Sequence, residues 1–202
     1  MTRRLTEPRL IVATHNRGKL DEFRAMIGPG VELVSAAELG LPEPAETEES
    51  FLSNARIKAH AAASATGLPS LADDSGIEVD ALGGAPGVHT ADWAATPQGR
   101  DFVMAMSRTW DALEEIEAPE PRTARFRCTL VLAWPDGHDE VFEGALEGRC
   151  VWPMRGIEGH GYDPMFQPDG HERTLGQMSA GEKNRISHRA RALEKLLARC
   201  LG

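Results

Sequence analysis

Between Thr123 and Trp134, the residues Phe126, Cys128, Leu130 and Leu132 alternate with Arg125, Arg127, Thr129 and Val131. A period of two marks a β-strand with one face toward a core. Asp136-Gly137 follows, a dipeptide suited to a hairpin turn, and Glu140 to Leu146 reads as the returning strand. The second half of the chain is thus committed to antiparallel hairpin structure. The first half has another pattern. Leu10-Ile11-Val12-Ala13-Thr14 is a short apolar, β-branched run, the signal of a buried strand. It passes through a polar turn into Lys19 to Ile27, where Leu20, Phe23 and Ile27 recur at helical spacing. Gly28-Pro29-Gly30 stops that helix, and Val31 to Val34 predicts a second strand. Strand, helix and strand in one half with a hairpin in the other define a mixed α/β fold.

The remaining punctuation is consistent with this. Pro42 to Glu49 is acidic and proline-containing, a loop, and the alanine-rich stretch Ser50 to Thr66 predicts a helix ended by Gly67-Leu68-Pro69. Leu71-Ala72 leads into Asp73-Asp74-Ser75-Gly76, which has the composition of a turn. Gly83 to Gly87 and Gly156 to Gly161 read as loops, and Phe102 to Ile116 as a helix. Ser187 to Leu201 predicts a final amphipathic helix with Leu193, Leu196 and Leu197 on one face. No repeat, low-complexity segment or linker interrupts the chain. Its 202 residues suit one domain, 1–202, with room for two lobes.

The formal net charge of -9 argues against a nucleic-acid binder, which needs a broad basic surface. It leaves room for a small phosphorylated ligand met by a few local cations or by a metal ion on acidic residues. Cys128, Cys150 and Cys200 are far apart, without zinc spacing or a disulfide framework, which fits a reducing cytoplasm. The apolar run near the N-terminus is too short for a signal peptide or a membrane span. The expectation is a cytoplasmic protein without membrane or nucleic-acid partners.

Five segments have compositions that can carry chemistry. Thr14, His15, Asn16, Arg17, Gly18 and Lys19 lie between a strand and a helix N-terminus, where free N–H groups and the helix dipole favour an anion. The spacing is not that of a P-loop, and a capped helix behind an edge strand has the same pattern. Ser50, Asn54 and Lys58 are four apart and share a helix face, which is either solvated or lines a cleft, with Glu46 just ahead. Asp73-Asp74-Ser75-Gly76 places two carboxylates together, as Mg²⁺ prefers, though an Asx-type turn has the same residues. Gly159 to Pro164 sets ring side chains between glycines, which suits a flat ligand or a tight turn. Finally, Ser187 can cap the last helix. His188 and Arg189 then occupy its first turn, where cations oppose the dipole unless they serve an anion or a base edge.

Taken in order, these pieces resemble the inosine triphosphate pyrophosphatase family, the non-canonical purine nucleoside triphosphate pyrophosphatases. The resemblance rests on Ala13 to Lys19, then Glu46 with Ser50-Phe51, Asn54-Ala55 and Lys58-Ala59. It continues through Ala72 to Gly76, Leu82 to Gly87, Gly161 to Pro164, and Lys183 with Ser187-His188-Arg189, nearly the whole chain. It implies an elongated α/β fold whose two lobes enclose a substrate cleft, usually a homodimer. It implies Mg²⁺-dependent hydrolysis of ITP, dITP and XTP to the monophosphate and pyrophosphate. Thr14 to Lys19 would bind triphosphate. Glu46 and Asp74 would hold Mg²⁺, with Asp74 as general base. Ser75, His160, Gly161, Tyr162, Asp163 and Lys183 would contact substrate, and His188 and Arg189 would read the base. Where His160 stands, many members carry a phenylalanine that stacks on the purine. A related pyrophosphatase of other modified triphosphates, or a nucleotide sensor without catalysis, would share the phosphate grip.

Overall fold

The computed structural model describes residues 2–201. The chain runs β1 (Arg9–Val12), α1 (Arg17–Ile27), β2 (Glu32–Ser35), α2 (Phe51–Thr66) and β3 (Ser70–Val79). After a turn-rich stretch come the two-residue strands β4 (Ala95–Thr96) and β5 (Gly99–Arg100), then α3 (Phe102–Glu115). The long strands β6 (Thr123–Ala133) and β7 (Asp139–Cys150) follow, with β8 (Phe166–Pro168), α4 (Ala180–Ile186) and α5 (His188–Leu196). One sheet has the order β2-β1-β3-β6-β7-β8. It is mixed: β1 runs parallel to β2 and β3, whereas β7 and β8 are antiparallel. The α/β class and the mixed sheet expected from the sequence are both present.

Two compact units divide the chain. The first comprises 2–74, Cys128–Gly144 and 189–201; the second comprises Ser75–Arg127 and Ala145–His188. Each has its own core. In the first, Leu10, Val12, Leu20, Phe23, Leu33, Leu71, Leu130, Leu132, Trp134 and Leu196 pack together. A second cluster there is built almost wholly from small residues: Ala55, Ala59 and Ala63 of α2 lie against Ala72, Val131 and Ala133. Helix α2 forms because alanine loses no side-chain entropy. Ser50 caps it by accepting from the Ser53 N–H, and Gly67 ends it in the left-handed region. In the second unit Ile77, Val79, Leu113, Phe126, Tyr162, Met165 and Phe166 make the core, backed by α3.

Three local expectations differ from the structure. Asp73 to Gly76 is not a turn but the middle of β3, buried along most of its length. Turn composition is a local preference, and it loses here to cations that neutralise both carboxylates inside the fold. The polar stripe of α2 is solvated only at its start: Ser50 is exposed, whereas Asn54 and Lys58 are 2% and 7% exposed. Ser187 stands directly ahead of the last helix, where a cap is expected, but a further helix precedes it. That residue is extended and ends α4, a short helix marked by the Ser179/Glu182 capping box, and α5 begins at His188 and gives way to a π-type turn at Leu197–Leu201. Phe23, fully buried beneath α1, tests the first core directly. We expect Phe23→Ala to lower unfolding free energy by about 3–5 kcal/mol in urea melts.

Candidate functional site

In the first unit the loop between β1 and α1 is organised by its own side chains. Asn16 caps α1, with Oδ1 accepting from the N–H groups of Gly18 at 2.8 Å and Lys19 at 3.3 Å. Thr14 Oγ1 accepts from the Asn16 N–H at 3.1 Å. His15 Nε2 lies 2.8 Å from the Leu41 carbonyl; a carbonyl has no proton to give, so Nε2 carries the hydrogen and donates. Arg17 is exposed.

Behind this loop lies a chain of charges. Lys19 Nζ donates to Asp73 Oδ1 at 3.0 Å, and Arg189 donates from Nη2 to Asp73 Oδ2 at 3.0 Å and from Nη1 to Glu22 at 2.6 Å. Burial would push Asp73 up, but Lys19, Arg189 and Lys58 outweigh it and hold its carboxyl well below the ordinary range. Lys58 Nζ bridges the next pair, donating to Glu46 Oε1 and, at 3.3 Å, to Asp74 Oδ1. Burial works against the Lys58 charge, yet Asp74, Asp73 and Glu46 together raise its pKa. Asp74 is less well served. Burial pushes its carboxyl up to about 6; Lys58 opposes the rise, and Glu46 and Asp73 add to it. Its Oδ2 is buried and has no hydrogen-bond partner among the described residues. Three cations thus face four carboxylates, leaving one negative charge in excess.

The segment that carries Glu46 is fixed on both sides. His15 holds Leu41 ahead of it. After it, Asn54 pairs twice with Glu48, accepting from its N–H and donating to its carbonyl, both at 3.1 Å. Asn54 and Lys58 therefore belong to the site, as do Glu22 and its pair with Arg189. The signal for the first two was their spacing of four on a helix; for Glu22 it was its place three residues after Lys19.

In the second unit the candidates cluster around Asp163. This buried carboxylate accepts from the His160 N–H and from Lys183 Nζ, both at 2.8 Å. Gly159 has φ +80°, and a Cβ there would collide with Asp163 Oδ2. His160 is exposed, whereas Tyr162 is 1% exposed, its ring edge-on to Phe102 and its hydroxyl near Thr109. A substrate contact by Tyr162 would have to come from its backbone. Ser75 is half-buried on β3. His188 lies flat against Phe126, with ring centroids 5.0 Å apart and planes 13° from parallel.

The donor set fits a hard divalent cation. Asp74 and Glu46 offer oxygens already arranged about one positive charge, that of Lys58, and Asp74 Oδ2 is a buried acceptor without a donor. Among the described residues no group of three or more His, Cys, Asp or Glu side chains is placed to hold a metal. Mg²⁺ needs only one or two carboxylates and completes its shell with water and phosphate oxygens.

A strand-to-helix anion loop, paired carboxylates on a buried strand and a glycine-bounded ring segment are the marks of a nucleotide-handling enzyme. This chain belongs to the Ham1 family, whose model matches residues 10–199. It is 64% identical to a dITP/XTP pyrophosphatase of Ruegeria pomeroyi, with all of both chains covered. It is 54% identical to one of Agrobacterium fabrum, over 98% of this chain and 99% of that protein. Among solved structures, a HAM1 protein from Coxiella burnetii superposes with TM-score 0.88 at 34% identity, covering 95% of this chain and 98% of that one. A structure from Mycobacterium abscessus, titled nucleoside-triphosphatase / dITP/XTP pyrophosphatase, gives TM-score 0.76 at 38% identity, covering 94% and 98%.

Gly159 offers a test of the second cluster. Gly159→Ala is expected to destabilise the protein by more than about 1 kcal/mol, because alanine disfavours that φ and its methyl displaces Asp163. Unchanged thermal melting would show that the loop does not depend on Asp163.

Proposed function

We propose that this chain, acting as one domain over 1–202, hydrolyses ITP, dITP and XTP to the nucleoside monophosphate and pyrophosphate. The observation that carries this reading is the Asp74 carboxylate, buried, raised to about 6 and with one oxygen lacking a donor, beside Lys58 and Glu46. A carboxylate oxygen without a donor among the described residues is available to accept a proton from water. The printed names of the relatives supply the substrate class.

The reaction is in-line attack of water on the α-phosphorus with pyrophosphate leaving. Thr14 to Lys19 bind the triphosphate: the N-terminus of α1 offers N–H groups, and Arg17 and Lys19 offer charge. Glu46 and Asp74 would hold Mg²⁺, which when bound supplies positive charge to the phosphate oxygens and offsets the excess negative charge of this cluster. Asp74 accepts the proton of the attacking water. Lys58 holds Asp74 and Glu46 in place and opposes the rise of the Asp74 carboxyl, and Lys19 meets charge growing on the leaving group.

Ser75, His160, Gly161, Tyr162, Asp163 and Lys183 would contact the substrate, with His188 and Arg189 reading the base. Inosine and xanthosine carry a carbonyl at position 6, where adenosine carries an amino group. A site of donors accepts the first and leaves donors unpaired against the second, enough for discrimination of about 10⁴-fold. Lys183 and Arg189 have only donors. In the free protein Arg189 spends Nη1 and Nη2 on Glu22 and Asp73, so a base contact by Arg189 means exchanging one of those pairs. His160 presents an exposed flat ring in place of the family's phenylalanine.

We assign the protein to the cytoplasm, in keeping with three buried cysteines that form no disulfide among the described residues. Among the described residues, no helix is long and apolar enough to cross a membrane. A homodimer is the proposed assembly. Val103, Met104, Ile116 and Ile157, apolar and exposed in the second unit, are available for it.

A panel of ITP, dITP, XTP and ATP, with and without Mg²⁺, tests the function: pyrophosphate should appear for the first three only, and only with the metal. Release of orthophosphate instead would refute the bond assignment. Asp74→Asn should abolish turnover while nucleotide still binds, measured by calorimetry alongside rates. For Asn54→Ala, the Mg²⁺ concentration giving half-maximal rate should rise about 10-fold or more, since Asn54 holds the loop that carries Glu46.

A further inference from the structure

His188 stands at the start of α5, directly after the extended Ser187. The ring torsion of a histidine is broad and roughly two-fold, and a ring left to itself would sample many planes. Here one plane is selected. The Phe126 ring lies 5.0 Å from it and 13° from parallel. Phe126 is held in turn: Phe166, fully buried on β8, meets it edge-on at 4.8 Å and 65°. Phe166 reaches that position because Gly148 on the neighbouring strand has no side chain. A Cβ there would lie 2.7 Å from Phe166 Cζ and would collide with the Gln167 carbonyl. Gly148, Phe166, Phe126 and His188 thus form a stack from β7 through β8 and β6 to the start of α5.

We propose that Phe126 is a specificity-determining positioning residue, the platform that sets the plane in which His188 meets the purine. This rests on the reading of His188 as a base-contacting residue. A hydrogen bond to a base edge is directional, so a ring turned out of plane loses it even when its centre has not moved. Phe126 touches no substrate in this account; its effect passes through His188 alone. A purely structural phenylalanine would behave otherwise, lowering stability while leaving base preference unchanged.

A double-mutant cycle on the full-length protein separates the two. kcat/KM is measured for ITP and ATP in the wild type, Phe126→Leu, His188→Ala and the double variant. We expect Phe126→Leu to lower kcat/KM for ITP by about 10-fold or more and to narrow the ITP/ATP ratio, as misplacement of a binding group does. In the His188→Ala background the same change should cost less than about 2-fold, since the group it positions is gone. Equal losses in both backgrounds, or an unchanged ITP/ATP ratio in Phe126→Leu, overturn the proposal and leave the reading of His188 standing. If His188→Ala itself changes nothing, that reading fails and the proposal falls with it. Should Phe126→Leu not fold, NMR of the wild type decides: the His188 ring protons, assigned by their loss in His188→Ala, must be shifted upfield by the stacked ring. Ordinary imidazole shifts would overturn the platform.

Discussion

The buried carboxylate of Asp73 is the constraint on which the first unit depends. A strand that carries two adjacent aspartates into a sheet interior is unstable unless each charge is met, because an uncompensated buried charge costs several kcal/mol. Asp73 is met twice, by Lys19 from α1 and by Arg189 from α5. One side chain thereby ties the first helix, the central strand and the last helix together. Because Asp73 is satisfied so fully, its neighbour can be left partly unsatisfied: Asp74 shares one lysine with Glu46 and keeps an oxygen without a donor. The two carboxylates are adjacent residues that differ in how many cations face them.

The two units solve their problems with different chemistry. The first is organised by ion pairs and by a helix face of alanines. The second has ion pairs too, around Arg122 and Arg125, and adds packed rings and a buried carboxylate, Asp163, that gathers a loop N–H and a lysine. Charge suits a surface for phosphate and metal, where attraction matters more than exact orientation. Rings suit a flat base, where the angle of a plane decides what is accepted.

Much of the fold was legible in the sequence because its signals are periodic and local. The buried run at Leu10, the helix over Ser50 to Thr66 and the alternation in β6 all carry their own pattern. Asp73 to Gly76 was misread for the opposite reason: its composition favours a turn, and what makes it a strand lies far away in sequence, at Lys19, Lys58 and Arg189. The burial of Lys58 and Asn54 was hidden likewise, since spacing of four identifies a face but not which way it points. Helix α4 had a visible marker in Ser179 and Glu182 but is only seven residues long, too short for a periodic signal. The candidate residues were found largely through resemblance, and local spacing alone left each of them open. What resemblance did not supply was partnership: which carboxylate pairs with which cation, and which rings lie face to face.

The alanine face of α2 bears on variation in this chain. Ala55, Ala59 and Ala63 have no measurable exposure and sit against other small residues. Each lies on the helix that carries Asn54 and Lys58, so its methyl sets the distance at which that helix rides on the sheet. An added methylene would lift the helix rather than find a gap, because close-packed interiors leave no slack. A survey of tolerated substitutions would therefore flag inert alanines as strongly as carboxylates. Sensitivity at such positions reports the spacing of a scaffold, and does not mark them as participants in the chemistry.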